Sequence, residues 1–205
     1  MDARKRKIIE DRHFGFLLDY DGCSPSKEFV QWIADQVDVN CCDIVVGGKV
    51  ITFDPLSVRL FIGLPLGGKD IKEHYTDSTK KDFLDKIKVS SLPTIKFFGE
   101  KLVGDTLSDD DVFRYFMVVA LSTFLCANSN TYPSPYYLGP LIDLSDVEKW
   151  DWSKFVFNWL FDSISKYRKF NHDTIGGCRY FLAVSVVFIF PVCFLFLICF
   201  PLFLD

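Results

Sequence analysis

A chain of 205 residues with net charge −4, of which 49% are hydrophobic and 24% charged, is long enough for one sizeable core and hardly long enough for two. The mild acidic balance supplies no basic face for a phosphate backbone and argues against direct nucleic-acid binding. Seven cysteines without a C-x-x-C pair, and His13, His74 and His172 without ligand spacing, point to no zinc or redox site and read as buried free thiols in a reducing compartment.

The start of the chain has no apolar h-region of the kind a cleaved signal peptide needs. Arg4-Lys5-Arg6-Lys7 is read as part of a solvated basic arm, residues 1–12, with a nuclear-import signal as the alternative. Asp19-Tyr20-Asp21-Gly22 is a turn before it is a metal site, because its glycine comes too early for a calcium loop. Ser26 can cap a helix whose apolar positions Phe29, Trp32, Ile33 and Val37 follow helical spacing. Two β-prone runs, Asp43 to Val46 and Lys49 to Phe53, flank Gly47-Gly48 and predict a hairpin. Asp54-Pro55 is an N-cap followed by proline at the first helical position, and Gly63 should end that helix. A polar stretch to about residue 90 then holds a short helix around Phe83, Leu84 and Ile87.

Ser108 followed by Asp109, Asp110 and Asp111 places three carboxylates in the first turn of a helix, where the macrodipole favours them, so capping explains the cluster better than a metal does. Phe113, Phe116, Met117, Ala120, Leu121 and Phe124 are its expected buried stripe, and Asn128-Ser129-Asn130 its end. Tyr132 to Tyr137 reads as an extended loop, and Ser145 with Glu148 as a capping box before a long aromatic helix. On that helix Trp152, Phe155, Val156, Trp159, Leu160 and Ile164 share a face, with Trp159 central, which is a core stripe rather than a ligand box.

Tyr180 to Leu204 carries no charge and would span about 37 Å as a helix, enough to cross a bilayer core. Three readings compete: a membrane anchor with Lys166, Arg168, Lys169 and Arg179 on its cytosolic flank, a translated non-coding or frame-shifted stretch, and a helix buried in a soluble core. On the anchor reading, residues 1–179 would lie in the cytosol. The fold expectation is a mainly α chain with a small β-hairpin: the basic arm 1–12, a compact helical domain 13–179, and an apolar C-terminal helix within 180–205.

Gly63 to Lys69 fits the opening of a phosphate-binding loop, G-x-x-x-x-G-K, but Asp70 stands where a magnesium-ligating hydroxyl is required and the loop follows a helix rather than a strand. No Ser/His/Asp or Cys/His set is suggested either. No catalytic, cofactor-binding or metal-ligating residue is therefore assigned.

The order GGKVITF (Gly47 to Phe53), FIGLPLGG (Phe61 to Gly68), FLCANSNTYPSPYYLGPLIDL (Phe124 to Leu144), WDWSKFVFNWLF (Trp150 to Phe161) and IGGCRYFLAV (Ile175 to Val184) resembles the plant mobile domain, sometimes labelled aminotransferase-like. The resemblance implies a transposon-derived domain whose intact relatives act in the nucleus in silencing or genome maintenance, with no established catalytic residues. A pyridoxal-phosphate enzyme is not implied, since no Schiff-base lysine, phosphate cup and ring-nitrogen partner can be picked out. The expected function is a non-enzymatic interaction module without cofactor or small-molecule substrate, held at a membrane through Tyr180 to Leu204 and serving an unknown protein partner. The alternative is a non-functional transposon remnant or gene fragment.

Overall fold

The computed structural model describes residues 1–189 apart from Asp21, Gly22, Cys23, Gly47, Glu73, Asp105 and Asn171. Among them are eight α-helices and one three-stranded antiparallel sheet, so the chain is mainly helical with a small β element.

The N-terminal basic segment is not a solvated arm. Asp2 accepts from the Lys5 amide and opens α1 (Ala3–Glu10), whose Ile8 and Ile9 enter the core. Lys5 itself is 2% exposed; its ammonium donates to the Gly104 carbonyl at 2.8 Å and pairs with Asp2 at 3.0 Å. The reason lies 100 residues downstream, in a feature that charge counting along the chain does not reveal. Ser108 caps α6 (Asp109–Ala120) as expected, and the carboxylates of its first turn receive α1: Arg4 pairs with Asp109 at 2.5 Å and Arg12 with Asp110 at 2.6 Å. Asp111 holds the buried Arg114 at 2.6 Å. Capping and ion pairing thus share the acidic run. The exposed pairs contribute about 1 kcal/mol or less each, and the burial of Ile8 and Ile9 does more to hold α1 in place.

Ser26 caps α2 (Lys27–Gln36) through the Phe29 amide. Its buried face is Val30, Ile33 and Ala34, while Phe29 and Trp32 stack on each other, with Trp32 43% exposed. The hairpin forms in the expected place, β2 (Asp43–Val46) against β3 (Lys49–Thr52), and β1 (Val37–Asp38) adds a third strand through Val37 opposite Ile44. Gly47 of the turn lies outside the described residues. Asp54 and Pro55 start α3 (Pro55–Ile62), and Gly63 ends it at φ +84°. The short helix predicted around Phe83 is α4 (Thr79–Ile87). A helix that the sequence reading did not anticipate, α5 (Ile95–Val103), is capped by Thr94 and buries Phe98 against Phe83 and Tyr115.

α6 is buried on nearly all sides, Val112 to Tyr115 included, and is the central helix; Phe116, Ala120 and Phe124 of the expected stripe are only partly covered. Residues Leu121–Leu125 continue it as a π-helical turn. Ser145 and Glu148 do not form the expected capping box: a single 3-10 turn occupies Val147–Lys149, and the Lys154 amide bonds the Asp151 carboxylate at 3.0 Å to open α7 (Trp152–Phe170). Fully buried Trp152, not the partly exposed Trp159, is the tryptophan of this helix that anchors the core.

α8 (Arg179–Ile189) takes the first part of the apolar run into the protein. Phe181, Leu182 and Val186 are fully buried, and the Phe181 ring meets Phe53 and Phe61 at 6.0 and 6.3 Å. Ten of the residues counted toward a membrane span therefore belong to this helix, whose inner face packs against α2 and α3. No helix among the described residues is long and apolar enough to cross a membrane. The expectation of a transmembrane anchor, a membrane address and a membrane partner through Tyr180 to Leu204 is overturned on that ground; residues 190–205 of the same run lie outside the described residues.

Tyr137, in a 3-10 turn at Pro135–Tyr137, is fully buried; its hydroxyl sits 2.7 Å from the Ser122 hydroxyl and accepts from the Ser134 amide at 2.8 Å. Burial pushes its pKa up to about 12 from 10.0. The folded state therefore keeps a proton that the unfolded chain releases, and stability is lost as pH rises from about 10 toward about 12. We expect Tyr137→Phe to lose less stability than the natural chain between pH about 10 and about 12, measured by urea unfolding. Parallel losses in the two proteins would remove Tyr137 as the titrating group.

Candidate functional site

Three segments distant in sequence converge on a surface cavity of about 260 Å³ lined by Tyr20, Ser24, Pro25, Thr123, Phe124, Ala127, Gly177, Arg179 and Tyr180. Tyr20 follows a 3-10 turn at Gly15–Leu18 and is fixed by its hydroxyl, which donates to the Phe61 carbonyl at 2.9 Å. Burial first, then the neighbouring Tyr180 and Cys178, pushes its pKa up to about 12, so it stays a neutral donor.

Thr123 and Phe124 are presented by the π-helical turn. There the Ser122 and Thr123 hydroxyls bond back to the Val118 and Val119 carbonyls, and the Cys126 amide reaches Leu121 at 2.8 Å, which widens the helix by a residue. The third wall needs glycine. Gly177 stands at φ +83° with a would-be Cβ 2.9 Å from the Leu160 Cα, and its amide bonds the Ala127 carbonyl at 2.7 Å. This close approach brings the start of α8, with Arg179 and Tyr180, up against the π-helical turn.

The rings of Tyr20, Phe124 and Tyr180 form a triangle with centroids 4.9 to 5.9 Å apart. Arg179 is half-buried, and among the described residues its guanidinium has no hydrogen bond or ion pair. It also lines a second cavity of about 70 Å³, shared with Lys27, Val30, Gln31, Thr174 and Ile175. The Gln31 side chain ties the two segments by donating to the Asp173 carbonyl at 3.0 Å. The combined surface offers an apolar aromatic wall, two cations and a hydroxyl rim. Such a surface can hold an apolar group beside an anion.

Burial keeps two thiols of this region away from solvent and favours their protonated form. Cys126 and Cys178 are fully buried, and burial pushes both up, Cys178 to about 12. Cys41 is exposed, contrary to the expectation of uniformly buried thiols.

The loop that matches the phosphate motif has another task. The Lys69 amide donates to the Lys149 carbonyl and the Asp151 amide to the Lys69 carbonyl, both at 2.9 Å, while Ser153 bonds Leu64 and Pro65. Asp70 pairs with Lys154 at 2.6 Å and Lys69 lies over the Trp150 ring. The segment fastens α3 to the start of α7. Of the histidines, His74 contacts the Asp70 carbonyl and the Trp150 ring, and His13 sits in a turn at φ 63°. The structure brings none of the three together with a metal-ligand set among the described residues.

Sequence reading missed the cavity residues. Arg179 read as the flank of a membrane span, Tyr180 as the start of that span, and Tyr20 as part of a turn. No local pattern links positions 20, 123–127 and 177–180, so the only available signal was Gly176-Gly177 beside an aromatic-basic pair.

No curated protein and no solved structure matches the chain. The family model that does match is not the plant mobile domain, so that resemblance, with the aminotransferase-like label and transposon origin it implied, is withdrawn. Three of its quoted blocks are explained locally: Lys49–Thr52 is a hairpin arm, FIGLPLGG contains a capped helix end, and the WDWSKFVFNWLF block holds the start of a core helix. Such pieces arise from capping, turn and burial requirements common to many folds. The match spans residues 1–183, which include the buried first turns of α8, and the chain belongs to the family described as Domain of unknown function (DUF8566).

Proposed function

We propose that this domain is a non-enzymatic interaction module that receives a segment of a partner protein at the cavity between α2, the π-helical turn and α8. The observation that carries the reading is Arg179, whose guanidinium has no partner among the described residues, beside the Tyr20, Phe124 and Tyr180 rings, a cation and an aromatic wall at the surface. Four other arginines are engaged by the protein: Arg4, Arg12 and Arg114 hold carboxylates and Arg168 donates to the Val37 carbonyl. Aromatic and arginine side chains together are the groups enriched where proteins recognise one another.

The test selects peptides from a displayed random library on the full chain and measures them again on Thr123→Trp. That substitution fills the mouth of the cavity from an exposed position and should leave the circular dichroism unchanged. Enriched peptides that lose at least about tenfold in affinity for Thr123→Trp support the site. Peptides that bind both proteins equally, or no enrichment at all, would overturn it.

A further inference from the structure

Resting on that reading, we infer that the occupant is an acidic peptide segment, an Asp or Glu side chain held by Arg179 and Lys27 with a neighbouring apolar or aromatic side chain in the larger cavity. Arg179 belongs to both cavities, so one guanidinium borders the aromatic wall on one side and the Lys27 side on the other. Half-buried, this cation has lost part of its hydration, and no described residue offers it a hydrogen bond or ion pair; a carboxylate restores the balance through charge-assisted, bidentate hydrogen bonds. Lys27 adds a second positive charge from α2 at the rim of the smaller cavity. The larger cavity takes the adjoining side chain, because the three rings with Pro25 and Ala127 give it apolar walls, and the Tyr20 hydroxyl is already turned to the Phe61 carbonyl.

The site favours a peptide over a nucleic acid on two grounds. The rings pack against each other tilted and edge-on rather than offering a flat platform for successive bases. Two cations on a chain of net charge −4 are also too few to track a phosphate backbone.

Fluorescence anisotropy on the full chain tests this with fluorescein-labelled Gly-Ser-Gly-Phe-Glu-Glu-Gly-Ser-Gly, the same nonapeptide carrying Gln for both Glu, and a labelled oligothymidine of equal length. The acidic peptide should bind about tenfold more tightly than its Gln counterpart, and Arg179→Gln should erase that preference. Lys27→Gln should weaken acidic-peptide binding by a smaller factor, about threefold. Both positions are solvent-accessible, so unchanged thermal unfolding separates loss of recognition from loss of fold. Equal affinity for the two peptides, indifference to Arg179→Gln, no binding of the acidic peptide, or tighter binding of oligothymidine would each overturn the inference. If both peptides bind, lose affinity in Thr123→Trp and ignore Arg179→Gln, the cavity stands as the site and only the acidic requirement falls. Peptide binding that is untouched by Thr123→Trp removes the site as well.

Discussion

Gly68→Ala should destabilise the domain by about 3–5 kcal/mol, whereas Gly67→Ala, one residue away, should cost only about 1–2 kcal/mol. Both glycines have positive φ, +84° and +95°, so a side chain at either pays the same left-handed penalty. What differs is the space. A Cβ at Gly67 meets nothing within 4 Å, but a Cβ at Gly68 would lie 2.1 Å from the Lys149 carbonyl oxygen and 2.9 Å from its carbon. Backbone cannot swing aside as a flexible side chain can, so the strand-like bridge between Lys69 and Trp150 must open. Opening it removes the hydrogen bonds joining Lys69 to Lys149 and Asp151, each contributing about 0.5–1.5 kcal/mol. The measurement is the urea midpoint of the two variants. If they unfold at the same midpoint, the loop is not the fastening between α3 and α7 that its contacts describe, and a role for its glycines in binding would have to be reconsidered.

The same loop shows what local sequence can and cannot convey. Caps and turns were legible wherever the chemistry is confined to a few neighbouring residues: Ser26, Asp54-Pro55, Gly63 and Ser108 each stand where a helix begins or ends. Ser145 with Glu148 has an equally good local pattern but loses to Asp151, because the indole of Trp152 is already committed to the Val147 carbonyl and the chain runs through a 3-10 turn first. Features that depend on a partner far along the chain were illegible. Lys5 is buried because Gly104 and Asp2 satisfy it, and Arg4 and Arg12 are ordered because α6 begins with Asp109 and Asp110. The candidate site is the extreme case, since its residues acquire meaning only when Gly177 allows α8 to approach Leu160. Tyr180 to Ile189 was misjudged for the opposite reason: absence of charge reports burial, and whether lipid or protein does the burying is decided by α2 and α3, which the run itself does not encode.

Trp152→Ala should destabilise the domain by about 3–5 kcal/mol, the cost of deleting a large buried aromatic and leaving a cavity. Helical spacing alone ranks Trp159 with Trp152, yet the structure separates them. Trp152 is fully buried at the first turn of α7, its ring edge-on to Phe14 at 6.0 Å, and Phe14 in turn packs against Phe113 of the central helix at 5.5 Å. Trp152 therefore joins the start of the chain, α6 and α7. Its indole nitrogen also donates to the Val147 carbonyl at 2.7 Å, so Trp152→Phe keeps much of the packing but leaves a buried acceptor unpaired, at about 1–3 kcal/mol. Trp159 is only partly covered, by Tyr137 and Phe155, and Trp159→Ala should cost about 1–2 kcal/mol. Urea unfolding should rank Trp152→Ala as the least stable of the three. A Trp159→Ala protein as unstable as Trp152→Ala would mean that the packed face of α7 is rotated from the one described, and with it the placement of Gly177 on Leu160 that opens the cavity.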